Sequence, residues 1–142
     1  MASEDGIFEM DLKDYRAIAA LWREAKMWPH VGEDRAWLQR ALARNPDLFL
    51  AYREKGRVIA TALGAWDGLR GWVYHLAVKK QYQGRGIGTR LLAEVEKRLR
   101  AAGARQVNVM VYDQNQRAMD FYRDRGYEHS PVMVVRKRFG QS

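Results

Sequence analysis

Three glycines and four basic residues fall within the run Val78 to Leu92, VKKQYQGRGIGTRLL, and their spacing suits the holding of a phosphate. Gly84, Gly86 and Gly88 stand between a short apolar strand (Leu76, Ala77, Val78) and an amphipathic helix. Glycine lets a backbone turn tightly and approach a ligand, because no Cβ intervenes. The first N–H groups of a helix have no intrahelical partner and lie at its positive dipole end. Such a loop and helix start together accept a phosphate or pyrophosphate. Lys79, Lys80, Arg85 and Arg90 add positive charge around it. A Walker loop is excluded, since no Gly-Lys-Ser/Thr follows at the required distance. The dinucleotide fingerprint also fails, because its glycine spacing differs from the alternation found here.

A second set of residues lies in 105–127, RQVNVMVYDQNQRAMDFYRDRGY. Val107, Val109 and Val111 alternate as in a half-buried strand. Asn115 suits the N-cap of the helix that follows, and Gly126 suits its end. Tyr122 comes two helical turns after Asn115, on nearly the same face. A phenol with an ordinary pKa of about 10 is protonated at neutral pH. Taken alone, Tyr122 reads first as a core tyrosine on an amphipathic helix.

The first run fits Gln/Arg-x-x-Gly-x-Gly/Ala as Gln83-Gly84-Arg85-Gly86-Ile87-Gly88, and resembles the acetyl-CoA loop of the GNAT N-acetyltransferases. Asn115, Ala118, Tyr122 and Gly126-Tyr127 resemble that family's second signature, in the expected order. Length and motif spacing look closest to small single-domain bacterial members of YpeA type. The resemblance implies transfer of acetyl from acetyl-CoA to an amine. It implies that Gln83, Gly84, Arg85, Gly86, Ile87, Gly88 and Thr89 bind the cofactor's pyrophosphate, mainly through backbone N–H groups. Leu76, Ala77 and Val78 would run beside the pantetheine amides, and one N–H of that strand would hold the thioester oxygen. Tyr122 would protonate the departing sulfur, and Asn115 would contact the cofactor or merely cap its helix.

The general base is harder to find. Many relatives carry Glu or His two or four residues before the position of Leu76, where this chain has Tyr74 and Trp72. His75 has a suitable ordinary pKa, but regular strand alternation turns it to the face opposite Tyr74 and Leu76. A water chain past Tyr74, or an amine that arrives neutral, would also serve. Trp66, Trp72 and Tyr74 are the candidates to line an acceptor pocket, ahead of Trp28 and Trp37. Asp67, Glu33 or Asp34 would suit a cationic acceptor, although each also reads as an ordinary surface carboxylate.

The elements that must position these groups follow from patterning over 142 residues, a length expected to form one domain, 1–142. A strand at 6–11 precedes a helix N-capped by Asp11 and running to about residue 26; a second helix covers 33–44. Strands at 48–53 and 57–65, joined by Glu54-Lys55-Gly56, lead through the turn at Asp67-Gly68 to a strand at 71–78. A helix at 88–102, a strand at 105–111, a helix at 116–125 and a last strand near 132–138 complete the order β-α-α-β-β-β-α-β-α-β. That order resembles the GNAT acyl-CoA N-acyltransferase fold, an α+β arrangement with a mixed, mostly antiparallel sheet flanked by helices.

Composition narrows the rest. The absence of cysteine excludes disulfides, thiolate metal sites and a cysteine nucleophile, and three scattered histidines lack metal-ligand spacing, so no metal is expected. No apolar run approaches a membrane span, and the acidic start lacks a signal peptide's pattern, so a cytoplasmic location is expected. The net charge of +8 is spread along the chain without a nucleic-acid motif, and a polyanionic coenzyme explains part of it. The expected partners are acetyl-CoA and an amine acceptor, with a homodimer open. Two other function classes remain: a non-catalytic acyl-CoA-binding or sensor module, and a basic nucleic-acid-binding protein.

Overall fold

The computed structural model describes residues 4–27 and 34–140. It divides into two compact units, 1–110 and 111–142. The first unit holds strands β1 (Gly6–Glu9), β2 (Phe49–Glu54), β3 (Arg57–Trp66), β4 (Gly71–Val78) and β5 (Val107–Val109), with helices α1 (Tyr15–Glu24), α2 (Arg35–Arg44) and α3 (Ile87–Ala102). The sheet order is β1-β2-β3-β4-β5, antiparallel throughout except for the parallel pair β4–β5. This is the α+β, mixed and mostly antiparallel sheet expected.

Alternation along the strands divides two apolar layers. Leu63, Ala51 and Phe49 face α1 and α2, packing with Ile18, Leu21, Trp22 and Leu38. The neighbouring Gly64 faces the other way, where a Cβ would stand only 2.8 Å from Val95 of α3. The buried Leu91, Leu92, Val95 and Leu99 of α3 recur at helical spacing on that side. Each such burial is worth roughly 1.5–3 kcal/mol, so α3, and with it the loop at its N-terminus, is fixed to the sheet. Gly103, at φ +119, ends the helix.

Helix starts use the acidic residues at hand. Asp11 caps a short 3-10 turn before α1, and the Asp34 carboxylate accepts the N–H of Trp37 at 2.8 Å to cap α2. Trp28, His30 and Glu33 lie outside the described residues.

The second unit holds α4 (Gln116–Asp124). The strand expected near 132–138 does not form. Its apolar pattern is present, but a strand needs a partner's N–H and C=O groups, and no ladder pairs with this segment. Val135 accordingly stands 91% exposed. The strand expected at 105–111 is likewise limited to the three residues of β5 that pair with β4. Among the described residues no helix is long and apolar enough to cross a membrane.

Candidate active site

At the end of β4 the chain makes a 3-10 turn, and the Gln83 side-chain amide donates to the Val78 carbonyl at 2.9 Å. That bond folds the loop back onto the strand end. Gly84 and Gly86 both have φ +81, and a Cβ at either would meet nothing within 4 Å. Backbone conformation, not crowding, therefore requires glycine here. Gly86 is the N-cap of α3 and offers no side chain to it. The first-turn N–H groups at Ile87, Gly88 and Thr89 thus lie where an anion is favoured.

The charges around the loop are partly engaged. Arg85 donates to both Glu54 oxygens, at 2.8 and 3.2 Å, and this hydrogen-bonded pairing holds the Glu54 carboxyl below its ordinary range. Arg90 donates to the Tyr52 hydroxyl at 3.0 Å. Lys79 is half-buried and Lys80 exposed beside the same turn.

Upstream of the loop, β4 is unevenly paired. Its outer edge meets β5 only at Gly71, Trp72 and Val73, and among the described residues no ladder continues along that edge beyond Val73. On the β3 side, Leu63 pairs with Tyr74 and Thr61 with Ala77, leaving one residue of β3 opposite two of β4. His75 and Leu76 are the two, and they form a bulge. His75 has φ +48, a conformation costing a non-glycine residue about 1–3 kcal/mol. Regular alternation therefore does not run through His75, contrary to expectation. Its ring stacks on Trp22 with centroids 4.5 Å apart. Its carbonyl accepts the Thr61 hydroxyl at 2.7 Å, and the Thr61 oxygen accepts the Trp22 indole N–H at 2.9 Å. Thr61 is the one buried polar residue among those described. Sequence reading missed it, although a threonine inside the apolar run of β3 and an indole on the buried face of α1 each need a polar partner.

The aromatic candidates separate. Tyr74 is 37% exposed, and burial together with the charge of Asp67 raises its hydroxyl above the ordinary value. It is therefore neutral at physiological pH and has no basic lone pair comparable to a carboxylate's. Trp72 donates its indole N–H to Asp67 at 3.2 Å. The other Asp67 oxygen accepts the N–H groups of Leu69 and Arg70, both at 2.7 Å. These bonds hold the Asp67 carboxyl low and commit it to its own turn. Trp37 packs edge-on against Trp22 in the core layer.

Trp66 is not brought to the glycine loop. It lines a cleft of about 520 Å³ with Arg44, Arg98, Ala101 and Ala102, at the C-terminal end of α3. The helix between has 16 residues, about 24 Å of rise.

In the second unit, the Asn115 side-chain oxygen accepts the N–H of Ala118 at 3.0 Å, so capping is one of its roles. Tyr122 packs against Phe121 and Tyr127, with ring centroids 5.2 and 5.3 Å away. Burial pushes its hydroxyl up to about 12. Arg123 turns to Asp120 instead, at 3.1 Å.

Comparison with known proteins adds an independent finding. The model of the acetyltransferase (GNAT) family matches residues 6–127. An acetyltransferase of Yersinia pestis (strain Pestoides F) is 30% identical over 132 residues, which are 93% of this chain and 92% of the relative. Among solved structures, the PaiA N-acetyltransferase from Thermoplasma acidophilum in complex with coenzyme A aligns at TM-score 0.80 and 19% identity, covering 92% of this chain and 94% of that one. AAC(6′)-Iy in complex with the bisubstrate analogue CoA-S-monomethyl-acetylneamine aligns at TM-score 0.74 and 19% identity, covering 96% and 99%.

Proposed function

This chain belongs to the acetyltransferase (GNAT) family, and from that premise we propose that it transfers acetyl from acetyl-CoA to a primary amine by direct attack in a ternary complex. The observation that carries this reading is β4: its ladder with β5 ends at Val73, and the strand leads directly into a glycine loop at a helix N-terminus. On this reading, backbone N–H groups from Gln83 through Thr89 hold the pyrophosphate. Leu76, Ala77 and Val78 run beside the pantetheine amides along the edge that β5 leaves uncovered, as a strand would, with the Val78 carbonyl already taken by Gln83. Arg85 and Arg90 shape the cationic rim rather than the chemistry. Residues 1–142 are read as one acyltransferase domain.

The reaction balances as follows. The amine nitrogen attacks the thioester carbon, the C–N bond forms and the C–S bond breaks. The amine gives up a proton, and the thiolate takes one from the Tyr122 hydroxyl, which regains it from solvent. A hydroxyl raised to about 12 is fully protonated across the physiological range, as an acid must be. Trp72 and Tyr74 provide no basic group, so the amine arrives neutral or loses its proton to water passing Tyr74.

Asp67 and Asp34 are used within their own turn and cap, which favours an acceptor recognised by shape and hydrogen bonding over one held by a free carboxylate there. A small-molecule amine and a protein amine both meet this description; AAC(6′)-Iy, bound to an acetylneamine conjugate, is a neighbour of the first kind. A cytoplasmic site of action fits a reaction that consumes acetyl-CoA.

The test is acetyl transfer from labelled acetyl-CoA to a panel of primary amines. The wild-type chain acetylates at least one, and Tyr122→Phe lowers kcat roughly 10²- to 10⁴-fold while leaving acetyl-CoA affinity intact. A second reading, a non-catalytic acyl-CoA sensor, draws support from the missing base at Trp72 and Tyr74. It predicts acetyl-CoA binding with no transfer, and indifference to Tyr122→Phe.

A further inference from the structure

We propose that Thr61, backed by Trp22, is a positioning residue that fixes the peptide between His75 and Leu76, so that the Leu76 N–H is presented to the thioester oxygen. The proposal rests on the acyl-transfer reading above and adds to it the device that aims the donor.

The direction of the hydrogen-bond chain is unambiguous. An indole N–H can only donate, so the 2.9 Å contact from Trp22 occupies a lone pair of the Thr61 oxygen. The Thr61 proton is thereby left for the His75 carbonyl at 2.7 Å, which can only accept. Both Thr61 and Trp22 are fully buried, so water does not compete for these bonds.

The orientation of the next amide follows. In a trans peptide the C=O and N–H groups point in opposite directions. Drawing the His75 carbonyl toward Thr61 turns the Leu76 N–H away from it. Leu76 has no partner in the β3 register, and β5 stops pairing at Val73. The donor therefore stands outside both ladders, two residues before the strand end that leads to the glycine loop.

The bulge takes His75 out of regular strand geometry, at φ +48, so no β3 ladder bond fixes the plane of the 75–76 peptide and the Thr61 hydroxyl does so instead. Without the Thr61 hydroxyl the His75 carbonyl loses its buried donor, and the 75–76 peptide can turn about ψ of His75 and φ of Leu76. The rotated peptide would offer a carbonyl oxygen where the reaction needs a donor. The stack of His75 on Trp22 ties β4 directly to α1 as well.

Isotope-edited infrared spectroscopy of acetyl-CoA labelled at the thioester carbonyl, bound to the full chain, tests the proposal, with affinity read in parallel by calorimetry. In the wild type the bound carbonyl band moves to lower frequency than in free acetyl-CoA. Thr61→Val binds acetyl-CoA with unchanged affinity but loses most of that downshift, and Thr61→Ser restores it. A role confined to packing would lower the melting temperature without moving the band. An unchanged downshift in Thr61→Val, or no downshift in a wild type that does bind, overturns the positioning role and leaves the cofactor reading standing. Failure of the wild type to bind acetyl-CoA overturns both. Should Thr61→Val not fold, Thr61→Cys keeps the volume with a weaker donor: a reduced downshift supports the proposal and a full one overturns it.

Discussion

The glycine loop and the bulge of β4 both hold the backbone at positive φ, and they do so by opposite means. Gly84 and Gly86 reach φ +81 in open space, where the residue type alone removes the steric penalty. His75 reaches φ +48 inside a strand, against its own Cβ, and is kept there by Thr61 and Trp22 on two other elements. The first conformation is written locally and can be read from a short motif. The second is imposed by tertiary structure and leaves no local mark.

The two regions should therefore fail differently. The largest effect belongs to the loop. Gly86→Val forces a β-branched side chain to φ +81 and should weaken acetyl-CoA binding roughly 10- to 100-fold, with the sheet unaffected by circular dichroism. Retained affinity would mean that the loop does not need its left-handed turn.

The bulge should respond in stability instead. Replacing His75 by alanine or glycine removes the stack on Trp22 in both cases, but only glycine relieves the strained φ. His75→Gly should therefore unfold at higher denaturant than His75→Ala, by about 1 kcal/mol. The reverse order would mean that the strain is absent in solution. The smallest effect is electrostatic. Glu54→Gln frees the Arg85 guanidinium from its bidentate partner, and acetyl-CoA should bind up to ~3-fold tighter at low ionic strength, with the gain fading as salt is added. No change at low salt would place Arg85 away from the phosphates.

The same contrast explains what was legible in the sequence. The bounds of β4 and the N-cap of α4 at Asn115 followed from the flanking turn and glycine loop and from capping chemistry, and both stand in the structure. The loop glycines announced their conformation by being glycines. The slip at His75 was illegible because it depends on a threonine 14 positions away in the chain. The strand expected near 132–138 failed for a related reason: apolar alternation is necessary for a strand, but the ladder must come from a partner. Trp66 looked close to the chemistry because it flanks the same turn as Trp72. Strand geometry instead carries the hairpin end to the far end of α3, where Gly103 approaches the Trp66 ring. The commitment of Asp67 to its turn was in principle readable, since an aspartate two residues before a turn N–H commonly bonds it.

The most direct test of the central claim is calorimetric titration of acetyl-CoA into the wild-type chain, with CoA and ATP as comparisons. The edge of β4 that β5 leaves uncovered and the glycine loop together predict micromolar binding of acetyl-CoA and of CoA, which share the pantetheine and pyrophosphate, and much weaker binding of ATP, which lacks the pantetheine arm. Binding of ATP as tight as that of acetyl-CoA, or no heat from acetyl-CoA at millimolar concentration, would contradict the account.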